Sequence, residues 1–258
     1  MNRVRIWDLP VRLFHWLLGA TFLGALAIAV LVGDEDPLFG VHAVLGLLAV
    51  FLVLLRIVWG FAGTRWARFR SFDLRPSSLG RYLREALGPG EGVRHPGHNP
   101  ATSWFVVATI AIILALGWTG FTMARGSEAA EEVHEVLAWS MLALTALHVG
   151  GVLWHRLRRG ENLAAGMVTG LKEAPEASAI RSVRPWSAAA LILLTAGWAG
   201  LLAAGYDSAS SRLTLPLLGG PLPVGEREDD RGEDREDQRN PSTRESGEDH
   251  DRHDDEDD

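Results

Sequence analysis

The stretch VHEVLAWSMLALTALHV, residues 133–149, is an apolar segment of helical length with a histidine near each end. His134 and His148 are 14 residues apart, close to four helical turns, so they lie within about 40° of the same face. The rise of the helix separates them by about 21 Å along its axis. Ionisable groups inside a membrane are costly and are usually functional, so the segment predicts a site on one face of a membrane helix.

Apolar residues are concentrated in runs of about twenty, the length that a helix needs to cross the hydrocarbon core of a bilayer. They make up 47% of the 258-residue chain, and Gly, Pro and charged residues cluster between the runs. This pattern predicts an all-α integral membrane protein. The five predicted spans are residues 13–32, 41–61, 102–123, 133–154 and 186–205.

Composition limits the chemistry that the chain can support. The absence of cysteine excludes disulfides, thiolate-held iron–sulfur clusters and covalently attached c-type haem. A redox metal would need other ligands, and histidine is the natural candidate. Residues 226–258 hold 17 acidic and six basic residues, and without this tail the net charge of −7 becomes +4. We expect a solvated, disordered tail and no nucleic-acid partner.

Basic residues are found on alternate sides of the predicted spans. Three basic residues lie in the N-terminal segment, seven in the connector 62–100 and six in the connector 155–185. In contrast, the connector 33–37 has none, and the connector 124–132 has only Arg125. Because cytoplasmic loops carry the excess of Lys and Arg, we expect the N-terminus in the cytoplasm. Five crossings then place the C-terminal tail in the periplasm, outside a bacterial inner membrane.

The topology pairs four histidines by depth. His15 begins span one and His148 lies late in span four, which places both on the cytoplasmic side. His42 begins span two and His134 begins span four, which places both on the outer side. Paired imidazoles suit a haem iron, and two haems at two depths would divide a hydrocarbon core of about 30 Å. The same histidines also fit a haem-free metal transporter or sensor, or a proton relay.

Glycines follow three of these histidines closely. Gly19 and Gly46 each come four residues after a histidine, and His148 is followed two and three residues later by Gly150 and Gly151. Small residues of this kind fit a flat macrocycle lying against a helix. They fit ordinary helix–helix packing in a membrane equally well.

Four segments of the chain resemble one protein family, the bacterial cytochrome b561 family, which includes the b-type cytochrome subunits of nickel–iron hydrogenases. The resemblance covers residues 3–172, and it is specific because the segments occur in order and the histidines of span four have the family's spacing. The segments are RIWDLPVRLFHWLL (5–18), VHAVLGLLAVFLVLLRIVWGF (41–61), GHNP (97–100) and the stretch from VHEVLAWSMLALTALHV (133–149) to RRGENLAAGMVTG (158–170).

The resemblance implies a four-helix haem-binding bundle with two b haems, each bound by two histidines. The axial ligands of the haem irons would be His15 with His148 and His42 with His134. The fifth transmembrane helix would lie outside this bundle.

The same resemblance suggests how the chain is divided. We expect a cytochrome b561-like four-helix membrane domain over residues 1–175, the fifth helix over 176–210 and an acidic disordered tail over 211–258.

The resemblance also implies a function. We expect an electron-transfer subunit that carries electrons between a periplasmic partner, either a hydrogenase or a c-type cytochrome, and the quinone pool, with quinone as substrate. Whether the chain is itself an enzyme stays open. Two alternatives are retained: a stand-alone superoxide:quinone oxidoreductase and the haem-free metal transporter or sensor.

Three other polar residues each have two interpretations. Arg56, within span two, either pairs with the carboxylates of the inner haem or extends to the interface. His155 either contacts a haem propionate or quinone or is interfacial, and His98 either caps the third span or faces a quinone site. Tryptophans near the predicted boundaries indicate an aromatic belt; they are Trp7, Trp16, Trp59, Trp66 and Trp104.

Overall fold

Five long apolar helices dominate the computed structural model, which describes residues 2–32, 36, 38–88, 95–215 and 220–224. Each is long and apolar enough to cross a membrane, so the prediction of an all-α membrane protein with five spans is confirmed. The helices are α1 (Leu9–Leu31), α2 (Phe39–Ala62), α3 (Pro76–Leu87), α4 (Pro100–Met123), α5 (Glu128–Arg159), α6 (Leu163–Thr169) and α7 (Pro185–Gly205), of which α3 and α6 are short.

The helices extend beyond the predicted spans because backbone hydrogen bonding continues after the apolar residues end. The largest extension is in α5, which begins at Glu128 rather than at residue 133 and ends at Arg159 rather than at residue 154. Two of the long helices start at side-chain caps: the Asp8 carboxylate accepts from the amide of Val11, and Asn99 accepts from the amide of Thr102. Such caps satisfy amides that have no partner within the helix.

Four of the long helices form one apolar core. Phe22 of α1, Val53 of α2, Ile113 of α4 and Met141 of α5 are buried together, with Ala49 beside them. Helix α7 lies outside this core and packs against α1 and α2 through Phe14, Leu52 and Leu191. The structure therefore has four bundled helices and a fifth that leans on one side of them.

The three basic segments of the chain meet at one end of the bundle. Strand β1 (Asn2–Arg5) pairs antiparallel with β2 (Leu171–Ala174), with Arg3 opposite Glu173. The indole of Trp66 donates to the carbonyl of Ser178 at 2.8 Å. This arrangement agrees with the charge pattern, which assigned these segments to one side. The strands, four residues each, were not predicted because they are too short to show a period.

A second small sheet follows α7 at the other end of the bundle. It contains β3 (Tyr206–Asp207), β4 (Arg212–Leu215) and β5 (Gly220–Pro223), and Leu213 and Leu215 pack against Leu202. Tyr206 reaches the start of α2, where a Cβ at Gly40 would overlap the tyrosine ring, so a larger residue there would displace the ring. Strands β4 and β5 lie within residues 211–258, the range expected to be a disordered tail; the acidic segment 226–258 lies outside the described residues.

Three of the boundary tryptophans do not belong to an aromatic belt. Trp7 is 6% exposed, and Trp59 donates its indole N–H to the carboxylate of Asp8 at 3.2 Å. Asp8 is fully buried and also accepts from the Thr64 hydroxyl at 2.6 Å. The aromatic-belt prediction is therefore wrong for Trp7, Trp59 and Trp66, which join the connector to the start of α1. Trp16 and Trp104 are partly exposed, as a belt requires.

His98 is part of the same junction, and we expect it to make stability depend on pH. Its ring lies 4.7 Å from the rings of both Trp7 and Phe72, and its Nδ1 is buried. Burial, and then the positive charges of Arg56 and Lys172, lower the pKa of His98 from its ordinary 6.5 to about 3. The folded chain therefore keeps His98 neutral at a pH where the unfolded chain protonates it. The contribution of neutral His98 to the free energy of unfolding is fully present above pH 6.5 and is lost progressively as the pH falls toward 3.

Between pH 7.5 and 5.5 this histidine should lower the free energy of unfolding by about 1.4 kcal/mol. Thermal or chemical unfolding of the purified protein at the two pH values measures the loss. The His98→Gln variant, which cannot titrate, should show a pH dependence smaller by that amount. An unchanged dependence in the variant would mean that His98 is protonated in the folded chain.

Candidate functional site

The first histidine pair lies at the end of the bundle that carries the basic segments. His15 is in the second turn of α1, and His148 is three turns before the end of α5. Their ring centroids are 6.2 Å apart, with the ring planes at 62°. Phe105, near the start of α4, stacks on the His148 ring at 4.3 Å. The inner pair is thus held between α1, α4 and α5.

The second histidine pair lies at the opposite end. His42 is in the first turn of α2, and His134 is in the second turn of α5. Their ring centroids are 6.1 Å apart, with the ring planes at 66°. The structure therefore brings together the two pairs that were assigned from depth in the sequence, and each pair joins two helices that are distant along the chain.

Both separations suit one metal ion between two imidazoles. A metal–imidazole nitrogen bond is about 2 Å long and the nitrogen lies roughly 1 Å from its ring centre, so two imidazoles on opposite sides of an ion place their centroids about 6 Å apart. Among the described residues, no group of three or more His, Cys, Asp or Glu side chains is arranged to hold an ion. An ion held without a macrocycle usually takes three or four protein ligands, whereas the iron of a haem needs only two from the protein.

Hydrogen bonds orient both rings of the outer pair. Nδ1 of His42 lies 2.9 Å from the carbonyl of Ala25, which can only accept, so Nδ1 carries the proton. Nδ1 of His134 lies 2.9 Å from the hydroxyl of Thr119, which itself donates to a carbonyl of its own helix and so accepts from the ring. In both rings Nε2 therefore keeps its lone pair, and Nε2 is the atom that can bind a metal. This is the usual second layer of a histidine–metal site.

We expect Thr119→Val to weaken the outer site while leaving the fold intact. Valine has nearly the shape of threonine but cannot accept from the imidazole, so the ring of His134 loses its fixed orientation. Loss of such a partner typically lowers metal affinity or activity by about 10- to 100-fold. Cofactor titration of the purified protein, with Thr122→Val on the same helix as the matched control, measures the effect. Equal affinities in the two variants would contradict it.

The glycines near the histidines face open space. A Cβ built at Gly19, Gly46, Gly150 or Gly151 would meet no atom within 4 Å. These glycines therefore do not mediate close contact between helices, which was the alternative reading of their positions. A flat macrocycle can approach the helix backbone at such positions.

Apolar side chains separate the two pairs. Phe22 and Met141 are buried in the core of the bundle, and Met141 is seven residues from both His134 and His148. Along α5 the two ligands are about 21 Å apart at the helical rise. The bundle thus holds two polar sites at opposite ends with a dry layer between them.

Arg56 does not extend to the interface. Its side chain is 7% exposed, its Nη2 donates to the carbonyl of Ala67 at 3.1 Å, and its guanidinium lies 5.5 Å from the centre of the Phe69 ring. Nη1 is buried without a hydrogen-bond partner among the described residues. The connector after α2 covers this arginine, and Nη1 is left as a donor.

The two remaining candidate histidines lie in different surroundings. His155 is buried, and its Nε2 lies 2.7 Å from the hydroxyl of Tyr82, which also accepts from Asn99 at 2.9 Å. His98 does not cap α4, because the cap is the neighbouring Asn99. The sequence reading missed Thr119. Thr119 lies four residues before the end of α4 and His134 six residues after the start of α5, a similarity in level that no local sequence pattern marks.

The fold and the paired imidazoles define a class: helical membrane proteins that bind a redox cofactor between their helices. The family model of prokaryotic cytochrome b561 matches residues 6–170, and the chain belongs to that family, as its sequence motifs predicted. The chain is therefore a multi-pass membrane cytochrome that binds b-type haem and transfers electrons across the membrane. Among curated proteins and solved structures, no match to the chain is found.

Proposed function

We propose that this cytochrome holds two b haems and connects a periplasmic redox partner to the quinone pool. His42 and His134 would bind the outer haem, and His15 and His148 the inner one. The observation that supports this best is the pair of centroid distances, 6.1 and 6.2 Å, found at opposite ends of one bundle. Each distance would let the two imidazoles of a pair hold one haem iron between them, and neither pair has a third candidate ligand among the described residues.

The side chains around the pairs prepare two different sites. Haem supplies the one-electron redox chemistry when bound. Thr119 and the Ala25 carbonyl fix the imidazoles of the outer pair, whereas aromatic contact with Phe105 supports the inner pair. On the inner side, Nη1 of Arg56 would donate to a haem carboxylate, which is a charge-assisted contact. The apolar layer around Met141 excludes water between the sites.

The partners follow from the two ends of the bundle. The end that gathers the basic segments is assigned to the cytoplasm, which puts the tail and the outer pair toward the periplasm of a bacterial inner membrane. Residues 226–258 have a net charge of −11, and such a segment attracts a basic partner over long range at low salt. A c-type cytochrome or a hydrogenase would therefore exchange electrons at the outer site, and quinone at the inner one.

The purified protein tests this proposal directly. We expect a b-type absorption spectrum and two haems per chain by pyridine haemochrome analysis. One haem per chain would contradict the two-site arrangement, and none would leave the haem-free transporter. Reduction of quinone by superoxide in the absence of any partner protein would favour the stand-alone oxidoreductase. Rapid quinone reduction only when a reduced c-type cytochrome or hydrogenase is added would support the function proposed here.

A further inference from the structure

A basic cavity of about 350 Å³ lies away from both histidine pairs, at the end of the bundle that carries the basic segments. The connector after α2 forms one wall, and the segment that precedes α7 forms the other. Among the described residues, no carboxylate lines the cavity. The charged lining residues are Arg65, Arg68, Arg181 and Arg184, accompanied by Thr64 and Ser182.

None of these four arginines forms an ion pair with a described residue, whereas Arg75 pairs with Asp73 at 3.0 Å. Nη1 of Arg65 donates to the carbonyl of Ala177 at 3.2 Å, and Nε of Arg68 donates to that of Gly63 at 2.6 Å. Each guanidinium has five N–H donors, so most of them stay available. Four like charges around one cavity, none of them in an ion pair, indicate an anionic ligand.

The walls of the cavity are fixed before any ligand arrives. The amide of Ile180 donates to the carbonyl of Arg5 at 2.9 Å, and the carbonyl of Val183 accepts from the amide of Leu9 at 3.0 Å. Arg184 has a φ of 56°, a left-handed conformation that non-glycine residues adopt only when their surroundings impose it. A site that needs no rearrangement binds its ligand at lower entropic cost.

The position of the cavity selects a ligand from the membrane. It lies where α2 ends at Ala62 and α7 begins at Pro185, which is where both helices reach the edge of the apolar region. Phe61 and Trp186 at these helix ends are 73% and 86% exposed, as expected of side chains that face lipid at the interface. A phosphate bound at this level would belong to a lipid headgroup, with its acyl chains beside the two helices.

We infer that this cavity binds the phosphate headgroup of an anionic phospholipid. Arginine makes bidentate hydrogen bonds to phosphate, and basic pockets between transmembrane helices on the cytoplasmic side bind anionic headgroups. This site is independent of haem binding and of the direction of electron flow. It would anchor the connector after α2 to the start of α7, and so fix the fifth helix against the bundle.

Native mass spectrometry of the full-length protein, titrated with phosphatidylglycerol in detergent, tests the inference. The test variant is Arg181→Gln with Arg184→Gln, because neither side chain makes a hydrogen bond that the fold uses in the described structure. The matched control is Arg70→Gln with Arg84→Gln, which removes the same charge from exposed arginines of the same end. Retained helicity and haem absorption show that each variant is folded.

We expect the test variant to bind phosphatidylglycerol roughly 30-fold more weakly, and the control within about twofold of the parent chain. Phosphatidylcholine should bind weakly to all three proteins. Equal losses in test and control variants would show diffuse interfacial charge and overturn the built site. Full displacement of the lipid by millimolar inorganic phosphate would assign the cavity to a soluble anion instead.

Discussion

Replacing His134 by alanine should remove one haem and leave the other in place. The outer ring pair would lose one of two imidazoles that lie 6.1 Å apart, and His42 alone cannot hold the iron from both sides. The inner pair is built from other turns of α1 and α5, about 21 Å away along α5, so its geometry should not change. Haem analysis of the purified variant is expected to fall from two haems per chain to one, and His148→Ala should do the same at the other end.

A second substitution identifies which of the two haems remains in each variant. Thr119 contacts only the outer pair, so Thr119→Val should perturb the haem that remains in His148→Ala and leave the one in His134→Ala unaffected. The midpoint potential of each single-haem variant, with and without the threonine change, gives this comparison. His95→Ala, which removes an imidazole outside both pairs, should keep two haems. If either single change emptied both sites while the helices stayed folded, the pairing by depth would be wrong.

The membrane architecture followed from the sequence because hydrocarbon imposes a simple rule. Every backbone amide inside a bilayer needs an internal partner, so runs of about twenty apolar residues become helices regardless of detail. The ends of α5 were not predicted, since the helix continues past its apolar residues to Glu128 and Arg159, where that rule no longer applies. The two small sheets were missed for the same reason. Their strands are two to four residues long and depend on contacts such as that of Tyr206 with the start of α2.

The histidine pairs could be predicted from the sequence because depth in the membrane and helical phase allow the four histidines to pair in one way. The side chains that contact these histidines and Asp8 could not be predicted. The hydroxyl of Thr119 and the Asp8 junction depend on how antiparallel helices and connectors pack, and no local pattern marks them. Arg56 illustrates the difference: its place in α2 suggested either an interfacial or a haem-facing side chain. The connector residues Ala67 and Phe69 instead hold it buried, with one N–H left over.

Electron transfer across a sealed vesicle should fail when either histidine pair is broken. The protein is placed in vesicles with an impermeant oxidant inside and an impermeant reductant outside. Electrons should cross the membrane only if both haem sites are filled. A single haem at one end of the bundle leaves most of a hydrocarbon core of about 30 Å to be crossed in one step. His134→Ala and His148→Ala should therefore both fall to the rate of protein-free vesicles. Ser140→Ala, on α5 between the two ligands, should retain the parent rate.

The same vesicles distinguish a broken path from a damaged protein. In protein of a single known orientation, the haem that remains in His134→Ala should still be reduced quickly from the face next to the inner pair and slowly from the other. His148→Ala should show the opposite preference. This sidedness arises because each pair lies at one end of the bundle with the apolar layer around Met141 between them. Equal reduction of a single-haem variant from both faces would place its haem near mid-membrane, which two pairs at opposite ends do not allow.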